Sequence, residues 1–337
     1  MQVHSGGRQT FAVRPNHYGI AVLTNTMNVL VTGATGFVGG NLVPALLERG
    51  HDVRALVRDP TGYDGPDEVE VVVGDLLDPG SFDDALAGID AAYYLVHSMQ
   101  AGEDFEERDK QAAGNFAEAA SEAAVSRVIY LGGLGEEHEE LSAHLKSRRE
   151  VEQLLGEGDY DLTTLRAAII IGDGSASFEM VRQMDRRLPV MTTPQWVETP
   201  SHPIAIDDVI AYLVGVLDVP ETAGETYDVG GPEVMSYAEI LKRTGKVMGT
   251  GEPYIVPIPI LSPRLSSYWI GFVTDVPTSV ARPLIEGLKN PVVANDEPIR
   301  ELLPVELTPF ETAVEQALGK REARLAVEQL PAEVRSR

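Results

Sequence analysis

The sequence predicts an α/β fold built on a doubly wound parallel sheet, with a smaller C-terminal lobe for a substrate. Three observations predict it. Short apolar runs alternate with helical stretches through the first half of the chain. The first run ends in a glycine-rich turn, Thr32-Gly33-Ala34-Thr35-Gly36-Phe37-Val38-Gly39, that opens a helix. The length of 337 residues suits one large α/β unit or two lobes.

The elements read in order. Residues 27–33 (MNVLVTG) are a short apolar run that reads as a buried strand. Residues 36–50 read as a helix ending at Gly50, with Pro44 predicting a local kink because it removes a backbone donor. Strands follow at 51–59 and 69–75. A helix at 81–88 carries Ser81 as its cap, and 90–98 is the fourth strand. In 104–123, Phe105, Ala112, Phe116, Ala119 and Ala120 fall at helical spacing. Strand 125–133 precedes a helix holding His-Leu-Lys-Ser-Arg-Arg-Glu-Val-Glu (144–152), and 162–172 is the sixth strand. Later, 202–217 reads as a strand running into a helix, 225–249 as strand, turn and helix, and 310–330 as an amphipathic helix. Residues 252–290 are rich in Pro and aromatics and read as a compact lobe.

This order divides the chain into an irregular extension over 1–26, a dinucleotide-binding unit over 27–173, and a mixed region over 174–337. The last returns to the sheet and carries the lobe. Either Met27 is the start or the first 26 residues are a loose extension; they carry no assigned function.

Composition narrows the function. The formal net charge is −25, with 52 acidic against 27 basic residues. Such a surface repels phosphate backbones and anionic membranes, which argues against nucleic-acid binding. Screening by salt relieves the self-repulsion, so a halophile-like surface in a salt-rich cytoplasm is expected. Cysteine is absent, which removes disulfides, thiolate metal sites and cysteine nucleophiles. No apolar run is long enough to span a membrane, and no His pair has metal-ligand spacing. No metal is expected.

The glycine turn carries the cofactor reading. Gly33 allows the tight turn, Gly36 lets backbone approach a pyrophosphate, and Gly39 lets helix and strand pack closely. Thr35, Phe37 and Val38 complete the cradle. Strand, turn, helix and second strand stand in register, the context a Rossmann dinucleotide site requires. At the end of the second strand, Arg58 offers a planar fork to a 2′-phosphate, which favours NADP(H). Asp59 beside it keeps NAD(H) open, and Arg58 could instead pair with Asp59 on the surface. Asp75 could accept from an adenine amino group with Leu76 packing on the ring, or Asp75 could cap the next helix. His97 would lie near the nicotinamide ribose or be a polar residue at a strand end.

Together these pieces resemble the short-chain dehydrogenase/reductase superfamily in its extended and atypical branches. Residues 27–290 carry the resemblance: the T-G-x-x-G-x-x-G turn, GDLLDP at 74–79, IAIDDVIAYL at 204–213 and YDVGGPEVMSYAEI at 227–240. VRALVRDP at 53–60 is similar to NmrA-type groups, and the lobe with SSYWIGFVT resembles proteins near the accessory Rossmann subunit of respiratory complex I. The resemblance implies hydride chemistry by a Ser, Tyr and Lys triad. Here Gly132 and Gly133 occupy the serine position, His144 the tyrosine position and Arg148 the lysine position, while Ser147 and Glu152 keep the register.

His144 and Arg148 are four apart and share one helix face. His144 is a competent acid or base, whose pKa a nearby Arg and an oxidised nicotinamide would depress. Arg148 can anchor a ribose but cannot relay a proton. Against the catalytic reading, His144 could be an ordinary histidine on a solvated helix face. Arg166, Ser175, Ser177, His202, Asp208, Tyr268 and Trp269 are weaker candidates for cleft or support roles. Two functions are expected: an oxidoreductase on an apolar quinone- or carbonyl-type small molecule, or a non-catalytic dinucleotide-binding sensor or assembly subunit with a protein partner. The oligomeric state is not readable from the sequence.

Overall fold

The structure, a computed structural model, describes residues 26–98, 104–135, 142–258 and 274–328. Strand β1 (Asn28–Thr32) leads through the glycine turn into helix α1 (Phe37–Arg49). α1 continues through Pro44 to a C-terminal Gly50 in the left-handed region, where glycine alone is unstrained. Strands β2 (Asp52–Val57) and β3 (Glu70–Val73) follow, then the single turn α2 (Asp83–Leu86). Ser81 does not cap α2. Its hydroxyl instead accepts from the Asp75 N–H and donates to the Asp75 carbonyl, both at 3.0 Å, closing the loop after β3. β4 (Ala91–Tyr94), α3 (Phe105–Glu122), β5 (Arg127–Gly133), α4 (Ala143–Leu155) and β6 (Asp161–Ala167) complete the alternation.

The predicted sixth strand is two pieces. β6 ends at Ala167, and β7 (Ile170–Ile171) leaves the main sheet to pair with a later strand. Helix α5 (Ala176–Arg187), absent from the sequence reading, follows. Strands β8 (Val190–Pro194), β9 (Pro200–Ser201) and β10 (Ile204–Ala205) precede α6 (Ile206–Asp218). β11 (Thr226–Val229) and β12 (Met235–Ser236) then lead to α7 (Tyr237–Val247), which opens on a capping box between Ser236 and Glu239. β13 (Tyr254–Ile258), α8 (Thr278–Gly287), α9 (Glu297–Leu302) and α10 (Phe310–Glu328) follow. Tyr268 and Trp269 lie outside the described residues.

Seven strands form one parallel sheet in the order β11-β6-β5-β4-β1-β2-β3. The chain winds outward from β1 in one direction through β2 and β3, and in the other through β4, β5, β6 and β11. Both faces are buried through the central strands, which is why those read as continuous apolar runs, while the edge strand β3 is partly exposed. Val29, Val31, Tyr93, Ile129 and Leu131 face a core under α1 and α6. Their neighbours Leu30, Tyr94, Val128 and Tyr130 face a second core under α3 and α4. A third core, set apart from these, joins α5, α7, α8 and α10 through Phe178, Leu241, Val280 and Val314.

The carboxylate of buried Asp208 on α6 accepts from both the N–H and the hydroxyl of Thr308 at 2.8 Å. That pair fixes the chain just before α10. Asp208→Ala would leave the Thr308 N–H without its partner, at a cost of roughly 1–3 kcal/mol. A fall of that size in unfolding free energy by urea titration is expected; no change would show that this pair does not hold α10 in place.

Candidate functional site

The sheet switches direction between β1 and β4, and ligands of doubly wound sheets sit outside the strand ends at that point. The Thr32 hydroxyl donates to the Tyr93 carbonyl at 3.0 Å and accepts from the Leu95 N–H at 3.2 Å, tying the two strands where they part. Gly33 has φ +70°, and a Cβ there would stand 2.9 Å from the Leu95 carbonyl oxygen. A Cβ on Gly39 would stand 2.2 Å from the Gly33 carbonyl oxygen, so this close crossing admits no side chain. Gly36 caps α1 without a side-chain hydrogen bond, no acid occupies the first turn, and Thr35 and Gly36 are exposed. The unpaired N–H groups of this helix start therefore fit a pyrophosphate.

Beside the turn lies a cavity of about 960 Å³. Gly33, Gly36, Phe37, Val38 and Gly39 line its inner end, and Leu95, His97, Gly132, Gly133, His144 and Arg148 its middle. It continues between Met180, Val181 and Met184 of α5, Leu241 of α7, and Val280, Leu284 and Leu288 on and just after α8. One continuous space thus joins the glycine turn to an apolar lobe.

The middle of the cavity corrects one expectation. His144 does not stand on a solvated face. It lines the cavity with its ring centroid 5.0 Å from that of His97. Its pKa is lowered to about 3, mainly by burial, with His97 and Arg148 adding repulsion. The direction is the expected one, but burial rather than the arginine is the main cause. His97 joins the carboxylate of Asp109, on α3, through Nδ1 at 2.7 Å. The other Asp109 oxygen accepts from the Ser98 N–H at 2.8 Å. Burial opposes ionisation of Asp109, but the hydrogen bonds from His97 and Ser98 still hold its carboxyl below the usual range. Burial lowers the His97 pKa against the pull of Asp109. A neutral His97 therefore donates its Nδ1–H to an ionised Asp109. Asp109 escaped the sequence reading because it is one of several acids on a charged helix, and only the fold brings it beneath His97.

Arg148 lines the same wall. Its guanidinium donates to the Leu131 carbonyl and lies 5.2 Å from the Tyr130 ring centroid. Arg166 pairs with Glu152 through two hydrogen bonds of 2.5 and 3.1 Å, which makes it a strut between β6 and α4. A Cβ on Gly133 would meet Leu145 Cδ2 at 3.0 Å and one on Gly132 the Tyr130 ring at 3.2 Å, both tight contacts with side chains rather than backbone. Buried His202 holds the Gly231 carbonyl at 2.8 Å and accepts from the Ala294 N–H, a structural role. Ser175 lines the cavity while capping α5, and Ser177 lines it in the first turn of that helix.

The adenosine end is less as expected. Arg58 is exposed just beyond β2. Asp59 does not pair with it; its carboxylate accepts from the Thr61 N–H and hydroxyl at 2.9 and 2.7 Å. Asp75 neither caps α2 nor stands idle, since it accepts from the Leu77 N–H at 3.0 Å in a local turn. Leu76 is buried with Leu56, Phe82 and Leu86, so little of its side chain is left to cover a ring. Among the described residues no group of three or more His, Asp or Glu side chains could hold a metal, and no helix is long and apolar enough to cross a membrane.

The lowered His144 pKa has a consequence for stability. The unfolded chain takes up this proton near 6.5 and the folded chain only near 3, so stability is complete above 6.5 and is lost as pH falls towards 3. His144→Gln should flatten that loss by at most about 1.4 kcal/mol per pH unit. Denaturant titrations at neutral and mildly acidic pH read the difference; parallel curves for the two proteins would contradict the burial of His144.

Comparison with known proteins agrees with this geometry. A protein family described as NAD(P)H-binding matches residues 33–194. A ceramide reductase from Caulobacter vibrioides is 31% identical over 236 residues, covering 68% of this chain and 73% of the relative. A 3-beta-hydroxysteroid dehydrogenase from Mycolicibacterium neoaurum is 35% identical over 117 residues, 32% of each protein. In structure, the triphenylmethane reductase of Citrobacter sp. superposes with a TM-score of 0.71 at 20% identity, covering 87% of this chain and 99% of that one. With its parallel sheet, open glycine turn and these relatives, the chain belongs to the NAD(P)H-binding, atypical short-chain dehydrogenase/reductase family.

Proposed function

We propose that this protein is an NAD(P)H-dependent reductase of a carbonyl or quinone group carried on a large apolar molecule. The observation that carries the reading is the single cavity running from the glycine turn, past His97, His144 and Arg148, into the apolar lobe. The names of two relatives, a ceramide reductase and a 3-beta-hydroxysteroid dehydrogenase, support an apolar substrate class. The division of labour follows the chain: residues 27–173 hold the dinucleotide and 174–337 shape the substrate space.

A bound reduced nicotinamide would supply the hydride. The glycine turn, with Thr35, Phe37 and Val38, would hold the pyrophosphate at the start of α1. Arg58 would take the 2′-phosphate of NADP(H), since the Asp59 carboxylate is engaged with Thr61. The loop at Asp75 and Leu76 would border the adenine. Arg148 would face the nicotinamide ribose, and neutral His144 would donate a hydrogen bond to the substrate oxygen, the part a neutral imidazole can play when its pKa is depressed. The acidic surface suits a salt-rich cytoplasm.

A second reading, a non-catalytic sensor or respiratory-complex accessory subunit, draws on Gly132 and Gly133, which leave no hydroxyl where the family triad has one. One experiment separates the two. Purified protein in high salt is titrated with NADPH and NADH by nicotinamide fluorescence, and consumption is followed with quinones and long-chain ketones. Selective NADPH binding is expected, with Arg58→Ala weakening it about tenfold or more and sparing NADH. Turnover should fall about 10²-fold or more in His144→Ala. Tight binding without consumption would favour the sensor, and binding of neither nucleotide would remove both readings.

A further inference from the structure

We propose that the proton-donating group is a pair, His97 with His144, and that Asp109 is the positioning residue that orients and loads it. The proposal rests on the reductase reading above. It starts from a chemical problem. A neutral His144 that gives its only N–H proton to an alkoxide would be left as imidazolate, so a second proton must arrive as the first leaves.

The structure contains a source. Asp109 accepts from Nδ1 of His97, which directs Nε2 of that ring away from the carboxylate. Both Nε2 of His97 and Nδ1 of His144 are buried with no hydrogen-bond partner, on rings whose centroids are 5.0 Å apart. The two nitrogens do not hydrogen-bond to each other in this structure, but leaving both unpartnered in neighbouring buried rings is costly, which favours their meeting over a shared proton. Since Nδ1 of His144 is buried, Nε2 is the nitrogen left to a substrate oxygen. The path is therefore from His97 Nε2 to His144 Nδ1, and from His144 Nε2 to the substrate.

The step balances. With a reduced nicotinamide bound, the carbonyl carbon would receive its hydride, and the oxygen, left with the C=O π pair, would need the proton that these residues supply. The reactive form is the one in which His97 has taken up a second proton, at Nε2, opposite the Asp109 carboxylate: the oxygen takes the Nε2 proton of His144 as Nδ1 of His144 takes that extra proton from His97. His97 returns to its neutral form and regains a proton from solvent. While the pair holds its extra proton, Asp109 balances the charge; at rest both rings are neutral.

The charges around the pair set its range. Asp109 on α3 attracts the proton, and Arg148 on α4 repels it. The edge of Phe105 packs at 6.3 Å from His97 and adds no charge. The phenols of Tyr94 and Tyr130, on β4 and β5, are pushed up by burial and stay neutral. Among the described residues Asp109 is thus the anion facing the two rings, and its Ser98 hydrogen bond fixes its orientation.

The test is a histidine side-chain ¹⁵N NMR titration of the full chain, alone and with NADPH, for wild type, Asp109→Asn and His97→Gln. In wild type, His97 should be protonated at Nδ1, and one proton should enter the two rings in a coupled step. Asp109→Asn should weaken that proton's affinity about tenfold or more, moving the step down by about one pH unit, with NADPH affinity held within about twofold. A single, unchanged titration in Asp109→Asn, or a His97 protonated at Nε2 alone, would overturn the proposal. Turnover gives a second arm that does not depend on how Asp109→Asn folds. His97→Gln and His144→Ala should each lose a similar factor, and the double variant little more, as for residues acting as a unit. Independent, multiplying losses would also overturn it. If no quinone or ketone is reduced, the reductase reading fails, while the NMR titration still decides the coupling of Asp109, His97 and His144.

Discussion

A parallel sheet must be covered on both faces, because its crossover connections place helices there and its strands carry apolar side chains on both sides. Much else in this protein follows from that constraint. Val29 and Val31 point to one core and Leu30 to the other, so β1 leaves no face for a ligand. Binding is displaced to the strand ends. There the outward winding from β1 in two directions opens a gap between β1 and β4, which the Thr32 hydroxyl holds in register. The glycine turn, His97 and the end of β5 all reach that gap from different strands. The site is a product of topology before it is a product of any single motif.

The sequence made the sheet and the turn legible for the same physical reason. Strands buried on both faces leave uninterrupted apolar runs, and Gly33 and Gly39 are fixed by contacts no side chain can share. Where apolar periodicity was broken, legibility failed. α5 was missed because Arg182, Gln183 and Asp185 are buried along it. Arg182 is neutralised by Glu179, while Asp185 has neither oxygen hydrogen-bonded and its carboxyl is pushed up to about 8 by burial. Pro283 inside α8 hid that helix within a proline-rich stretch. Ser81 has the position of a helix cap but serves the Asp75 backbone, a choice that depends on a loop closing in space.

The candidate site divides along the same line. Residues 144–152 are dense in charge, which made a solvated helix face a reasonable expectation for His144. The fold instead turns that face toward β5, where Leu145 and Ser147 are buried and Arg166 reaches Glu152. Asp109 had no distinguishing neighbour in sequence, and its partner His97 lies on another element. Local chemistry identifies residue types able to carry protons. Only the long-range packing of α3 and α4 against the sheet decides which of them meet.

The apolar wall of the cavity comes from α5, α7 and α8, whose own core is separate from the two cores that sandwich the sheet. That separation has an evolutionary consequence. Substitutions at Met180, Met184, Leu241 or Leu284 reshape the space offered to a guest molecule without passing strain to the crossing of Gly33 and Gly39. The shape of the apolar space can therefore change by substitution while the glycine turn stays as it is.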